Sequence, residues 1–104
     1  MKNIKLTIQY DGTNYSGWQR QKNAVTVQEK LEDAIRETTG SFSETIGSSR
    51  TDAGVHAKEF VCNFFTDSKI PATNFKMVLN GVLPEDIVVL KSERMDDNFH
   101  ARFH

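Results

Sequence analysis

The chain has few of the features that usually declare a protein's class. It carries one cysteine, Cys62, in 104 residues. That excludes an internal disulfide and a multi-cysteine zinc site, and it fits a reducing compartment. Cys62 reads as a small apolar residue in a strand rather than a reactive thiol. No run of eighteen apolar residues occurs, so no membrane-spanning helix and no membrane partner are expected. The opening MKNIKLTIQY alternates polar and apolar residues and does not read as a signal peptide, which makes a cytoplasmic location the expectation. Neither a GxGxxG nor a Walker spacing is present, so no glycine-rich nucleotide loop is expected. There are no repeats, low-complexity tracts or evident linkers. The length suits a single domain, 1–104, and a 38% apolar composition can supply its core.

Excess charge is also missing. Thirteen basic residues face fourteen acidic ones, a net charge of −1, which is no signature of a polyanion binder. The distribution says more. Residues 1–28 set Lys2, Lys5, Arg20 and Lys22 against Asp11, a balance of +3, whereas residues 29–45 balance at −3. The acidic stretch reads most simply as a solvated helix face.

Periodicity outlines six elements. Ile4, Leu6, Ile8 and Tyr10 alternate with polar residues, as in a half-buried strand. After a loop, Thr26 and Glu29 form a capping-box signal for a helix with an apolar stripe of Val27, Leu31, Ala34 and Ile35, ended by Gly40. A weaker strand is expected over 42–48 and a stronger one over 57–65. Pro71 and Thr73 introduce a second helix with the stripe Phe75, Val78, Leu79 and Val82, stopped at Leu83-Pro84, and IVVLK at 87–91 makes the last strand. The order β-α-β-β-α-β predicts a ferredoxin-like α+β fold, an antiparallel sheet with two helices on one face. Such a fold decides nothing about function. The closing MDDNFHARFH retains two aromatics, two histidines and an arginine, and it reads as a chain that stops within a motif.

Three stretches could carry chemistry. In YDGTNYSGWQRQ, residues 10–21, Tyr15 and Trp18 could stack on bases, and Gln19 and Gln21 could hydrogen-bond to them. Arg20 and the following Lys22 could meet phosphates. Equally, this is a surface loop whose tryptophan is anchored in the core. In GSSRTDAGVHA, residues 47–57, the Asp and Gly are turn chemistry. The connection is nevertheless longer than a hairpin needs, and Arg50 stands two residues before Asp52. In extended backbone the two share a face and could pair, holding the carboxylate in one orientation as a nucleophile or base beside a concave surface. Histidines make the third set. Asp52 with His56, and His100 with His104, are spaced i, i+4, yet loop and terminal positions argue against metal chelation, and no metal is expected.

Taken in order, YDGTNYSGWQRQ, TVQEKLEDAI, SRTDAGVHA, LNGVLPEDIVV and FHAR resemble the N-terminal half of the tRNA pseudouridine synthase A family. The resemblance runs the length of the chain, and RTDAGVHA is its most specific part. It implies isomerisation of uridine to pseudouridine on the 3′ side of the tRNA anticodon stem-loop, with no cofactor and no metal. It implies that Asp52 is the catalytic aspartate and that Arg50 pairs with it and helps hold the flipped nucleotide. It also sets Trp18, Gln19, Arg20, Gln21 and Lys22, with His56 of RTDAGVHA and Arg102 of FHAR, as candidate RNA contacts. Family members are longer and typically homodimeric, and their second half contributes an active-site tyrosine, so these 104 residues are expected to be inactive alone. Ser49 stands where many members have glycine.

Two other classes compete. A non-catalytic RNA-binding module of this fold would place aromatics on adjacent central strands; the third strand has Phe60, Phe64 and Phe65, although Phe60 and Phe64 share a face expected to meet the helices. A metal-dependent hydrolase would use Asp52 and His56.

Overall fold

Alternation in the first ten residues produces the central strand of a four-stranded sheet. In the computed structural model, which describes residues 1–103, β1 spans Lys2–Tyr10 with Ile4, Leu6, Ile8 and Tyr10 buried on one face. It is followed by α1 (Val27–Thr39), β2 (Ile46–Gly47), β3 (Ala57–Thr66), α2 (Phe75–Asn80) and β4 (Ile87–Met95). The spatial order is β2-β3-β1-β4 and every neighbouring pair is antiparallel, which is the expected ferredoxin-like arrangement. Among the described residues no helix is long and apolar enough to cross a membrane.

One core joins the helices to one face of the sheet. Val27, Leu31, Ala34 and Ile35 of α1 meet Ile4, Leu6 and Ile8, while Phe64 of β3 packs edge-on against Phe75 of α2 at 5.4 Å. Phe60 and Phe64 are both core residues, so the sheet does not display them for base stacking. α1 begins where Thr26 accepts a hydrogen bond from the Glu29 amide at 3.3 Å, and it ends at Gly40, whose φ of 83° only glycine adopts readily.

Two elements are shorter than their patterns suggest. The strand expected over 42–48 is only Ile46–Gly47. The Thr45 amide and hydroxyl are drawn to Glu32 at 2.8 and 3.1 Å instead of to a neighbouring strand, and Phe42 lies 52% exposed beneath Arg36. In the second helix only Phe75 and Leu79 of the expected stripe are buried, and Val82 lies beyond its end, 39% exposed. Asn80 fastens the last turn to β4 through two hydrogen bonds with the Val89 backbone, so the helix stops after six residues.

Polar residues of the opposite sheet face organise the end of the chain. Asn63 Nδ2 donates to Asn3 Oδ1 at 2.9 Å, and Asn3 Nδ2 donates to the carbonyls of Asp96 and Phe99, each at 2.9 Å. The Ala101 amide closes the set on Asn63 Oδ1 at 2.8 Å. Both asparagines are buried, and each satisfied amide replaces water that burial removes. The segment leading to Arg102 is therefore fixed to the sheet.

Cys62 is fully buried in β3, and burial first, then the nearby Glu32 carboxylate, pushes its thiol well above the ordinary range. It is expected to resist a disulfide thiol reagent in native buffer and to react once the chain is unfolded in guanidinium chloride. Rapid modification of native protein would contradict that placement.

Candidate active site

The two glycine-bearing motifs are built on one another. The strand-end Tyr10 hydroxyl shares a 2.8 Å hydrogen bond with the Thr51 hydroxyl. The Trp18 amide donates to the Thr51 carbonyl at 3.4 Å, the Gly54 amide to the Tyr15 carbonyl at 3.1 Å, and the Gly12 amide to His56 Nδ1 at 2.8 Å. Glycine is required where the backbones touch. A Cβ on Gly12 would sit 1.9 Å from the Val55 carbonyl oxygen, and one on Gly17, where φ is +83°, would sit 2.1 Å from that of Thr51.

Side chains brace the same junction. Tyr15 is buried and donates to Asp86 Oδ1 at 2.5 Å, and burial followed by that carboxylate raises its hydroxyl well above the usual tyrosine range. Burial likewise raises the Tyr10 hydroxyl, against the opposing effect of Thr51. Asp11 accepts from the Thr13 hydroxyl and amide, which hold its carboxyl below the ordinary range. His56 Nδ1 also lies 3.1 Å from Asp11, but a nitrogen accepting the Gly12 N–H has no proton to share there, so the Gly12 bond defines the contact.

Asp52 opens a tight turn closed by the Val55 amide on the Asp52 carbonyl at 3.2 Å, with Gly54 at φ +79° in its third position. Its backbone makes the turn, and its carboxylate is left exposed. The stretch is thus a turn that displays an aspartate on an immobilised loop. Among the described residues no ion pair joins Arg50 to Asp52, which corrects the pairing expected from their spacing. The extended face that would align them does not develop, because Thr51 is drawn into the junction while Arg50 turns to a cleft and Asp52 starts the turn.

That cleft, of about 310 Å³, lies beside β2 and gathers Trp18, Gln19, Ser49, Arg50, His100 and Arg102. A wider one of about 620 Å³ holds His56 with Asp11, Glu59 and Asp86. Asp52 lines neither, contrary to the expectation of a concave surface beside it; in the chain it stands between Arg50 of the first and His56 of the second. Gln21 and Lys22 are exposed outside both, and Gln21 donates to the Ser16 carbonyl at 2.8 Å. Trp18 is 3% exposed and packs on Phe60 at 4.5 Å, so it offers no face for base stacking and the anchored-tryptophan reading is the correct one. His104 lies outside the described residues, and with it the i, i+4 pair it would form with His100.

Sequence reasoning missed Glu32, which the acidic stretch suggested was solvated. It is 2% exposed. Its Oε1 accepts from Arg20 Nε and Nη2 at 3.0 and 2.7 Å, and its Oε2 accepts from Thr45. Gln28 completes the group by accepting from the Arg20 amide and donating to the Thr45 carbonyl. These bonds tie the loop, α1 and the approach to β2 together under the smaller cleft. The only sequence signal was its place one residue after Leu31, at the border of the apolar stripe.

Fold and site together define an α+β domain of ferredoxin-like topology whose glycine-built double loop displays an exposed aspartate two residues after an arginine that lines a polar cleft. A family model described as tRNA pseudouridine synthase matches residues 6–104, and the chain belongs to that family. Over 103 residues it is 70% identical to tRNA pseudouridine synthase A of Clostridium kluyveri, 60% to that of Clostridium acetobutylicum and 55% to that of Thermoanaerobacter sp.. Each alignment covers 99% of this chain but 42% of the relative, so the chain spans less than half the length of the curated relatives it matches.

Proposed function

We propose that this chain is the aspartate-bearing half of a cytoplasmic, homodimeric enzyme that converts uridine to pseudouridine in the anticodon stem-loop of tRNA. Asp52 is the nucleophile, forming a bond from a carboxylate oxygen to an electrophilic carbon of the target nucleotide. The N1–C1′ glycosidic bond breaks and the uracil turns; a C5–C1′ bond then forms, the bond to Asp52 is released with its electron pair returning to the carboxylate, the C5 proton leaves and N1 gains one. Substrate and product are isomers, so the chemistry consumes no oxidant, reductant or cofactor. Arg50 and Arg102, with Gln19 and His100, provide a cationic polar wall for the extruded nucleotide and its phosphates. Lys22 and His56 extend the contact surface, and the second half of the enzyme supplies the opposite wall.

The interlock of the two loops carries this reading. It spends three hydrogen bonds, with Tyr10, Trp18 and Tyr15, and two close-approach glycines on holding Thr51 and Gly54 still, and the residues between them include the exposed Asp52. A simple reversal between strands has no use for that rigidity, whereas a nucleophile does. Unmodified tRNA incubated with the full-length enzyme should yield pseudouridine on nucleoside mass spectrometry and base-resolved mapping, confined to the 3′ side of the anticodon stem-loop. Absence of product, or product scattered outside that stem-loop, would contradict the assignment.

A further inference from the structure

We infer that Glu32 is a positioning residue that holds Arg20 ready for a tRNA phosphate, a step that rests on the tRNA reading above. Arg20 is not a loosely hung loop cation. One edge of its guanidinium, Nε and Nη2, is fixed on Glu32 Oε1, while its side chain remains 46% exposed. Glu32 is itself fixed, because its second oxygen is held by the Thr45 amide and hydroxyl and, at 3.4 Å, by Gln28 Nε2. The Arg20 amide is anchored as well, on Gln28 Oε1 at 2.8 Å. The Glu32 hydrogen bond comes first among the influences raising the Arg20 guanidinium above its ordinary value.

An arginine fork has five N–H donors, of which two are engaged here. Among the described residues the Nη1 group has no protein acceptor, so one edge of a locked, partly exposed fork keeps its N–H donors unengaged. Planar bidentate capture of a phosphate needs that geometry, and an arginine already ordered loses little side-chain entropy on binding. The neighbouring Gln19 lines the arginine-bearing cleft, which puts Arg20 next to the proposed RNA path.

The sign of one substitution separates this from simple electrostatics. Glu32→Gln removes a negative charge, so long-range attraction alone would tighten tRNA binding. Loss of positioning weakens it instead, by about threefold to tenfold in Kd. Binding should be measured on the full-length enzyme with unmodified tRNA over a salt series, with thermal unfolding recorded for each variant. Arg20→Ala should weaken binding and reduce the slope of log K against log salt by about 0.7 to 0.9. Arg20→Lys should weaken binding while keeping the slope, and it carries the test if Glu32→Gln does not fold. In the double variant, Glu32→Gln should add nothing to Arg20→Ala. Unchanged or tighter binding by folded Glu32→Gln, or wild-type affinity in Arg20→Lys, would overturn the inference alone. Failure of the unsubstituted enzyme to bind tRNA would overturn the functional reading and this inference with it.

Discussion

Asp52→Asn is expected to reduce pseudouridine formation by the full-length enzyme by at least about 10⁴-fold while leaving tRNA affinity within about threefold. Asparagine keeps the shape of the side chain but cannot supply the carboxylate oxygen proposed as the nucleophile. Its fold should be undisturbed, because the carboxylate is exposed and the turn bond is made by the Asp52 carbonyl. Stability should stay within about 0.5 kcal/mol of wild type. Removal of a negative charge opposes no phosphate, so weaker binding is not expected either. Residual turnover within tenfold of wild type, with binding intact, would assign the nucleophile elsewhere.

Gly17→Ala should have the largest structural effect in the site. Two penalties coincide there, a φ of +83° and a Cβ 2.1 Å from the Thr51 carbonyl oxygen. Together they should cost about 3 kcal/mol, because one loop must withdraw from the other and give up the Trp18–Thr51 bond. Gly54→Ala isolates the first penalty. Its φ is +79°, but nothing lies within 4 Å of an added Cβ, so about 1 to 2 kcal/mol is expected. Urea unfolding midpoints of the two variants decide the matter. Equal losses would mean that backbone strain alone matters and that the close approach of the loops does not. Activity should fall further in Gly17→Ala than its stability predicts, because the loop carrying Asp52 loses its support.

What could be read from the chain was what local pattern determines. The alternation of Ile4, Leu6 and Ile8 and the Thr26 cap of α1 are set by neighbours a few residues away, and they stand where expected. The edges failed where a distant partner decides. Thr45 leaves the strand pattern because Glu32 captures it across thirteen residues, and α2 ends where Asn80 reaches β4. The site divides in the same way. Turn chemistry at residues 52–55 was legible from Asp and Gly. The loop interlock was not, since it joins Gly12 and Gly17 to residues some forty positions on. Trp18 could stack on bases or anchor the loop, and only its contact with Phe60 chooses the anchor. The i, i+2 pairing of Arg50 with Asp52 assumed extended backbone, which Thr51's ties interrupt. Asn3 looked like one more outward-facing polar residue of β1, yet with Asn63 it sets the segment that brings Arg102 to the cleft.

Tritium at uracil C5 follows the central step, because that hydrogen is lost only when C5 becomes the carbon joined to the ribose. Full-length enzyme and its Asp52→Asn variant should be compared in single turnover on tRNA labelled at C5 of its uridines, with bound tRNA measured in the same samples. Release from the anticodon stem-loop is expected with wild type, and none above background with bound Asp52→Asn. Tritium release by the variant at a rate near that of wild type would contradict that expectation.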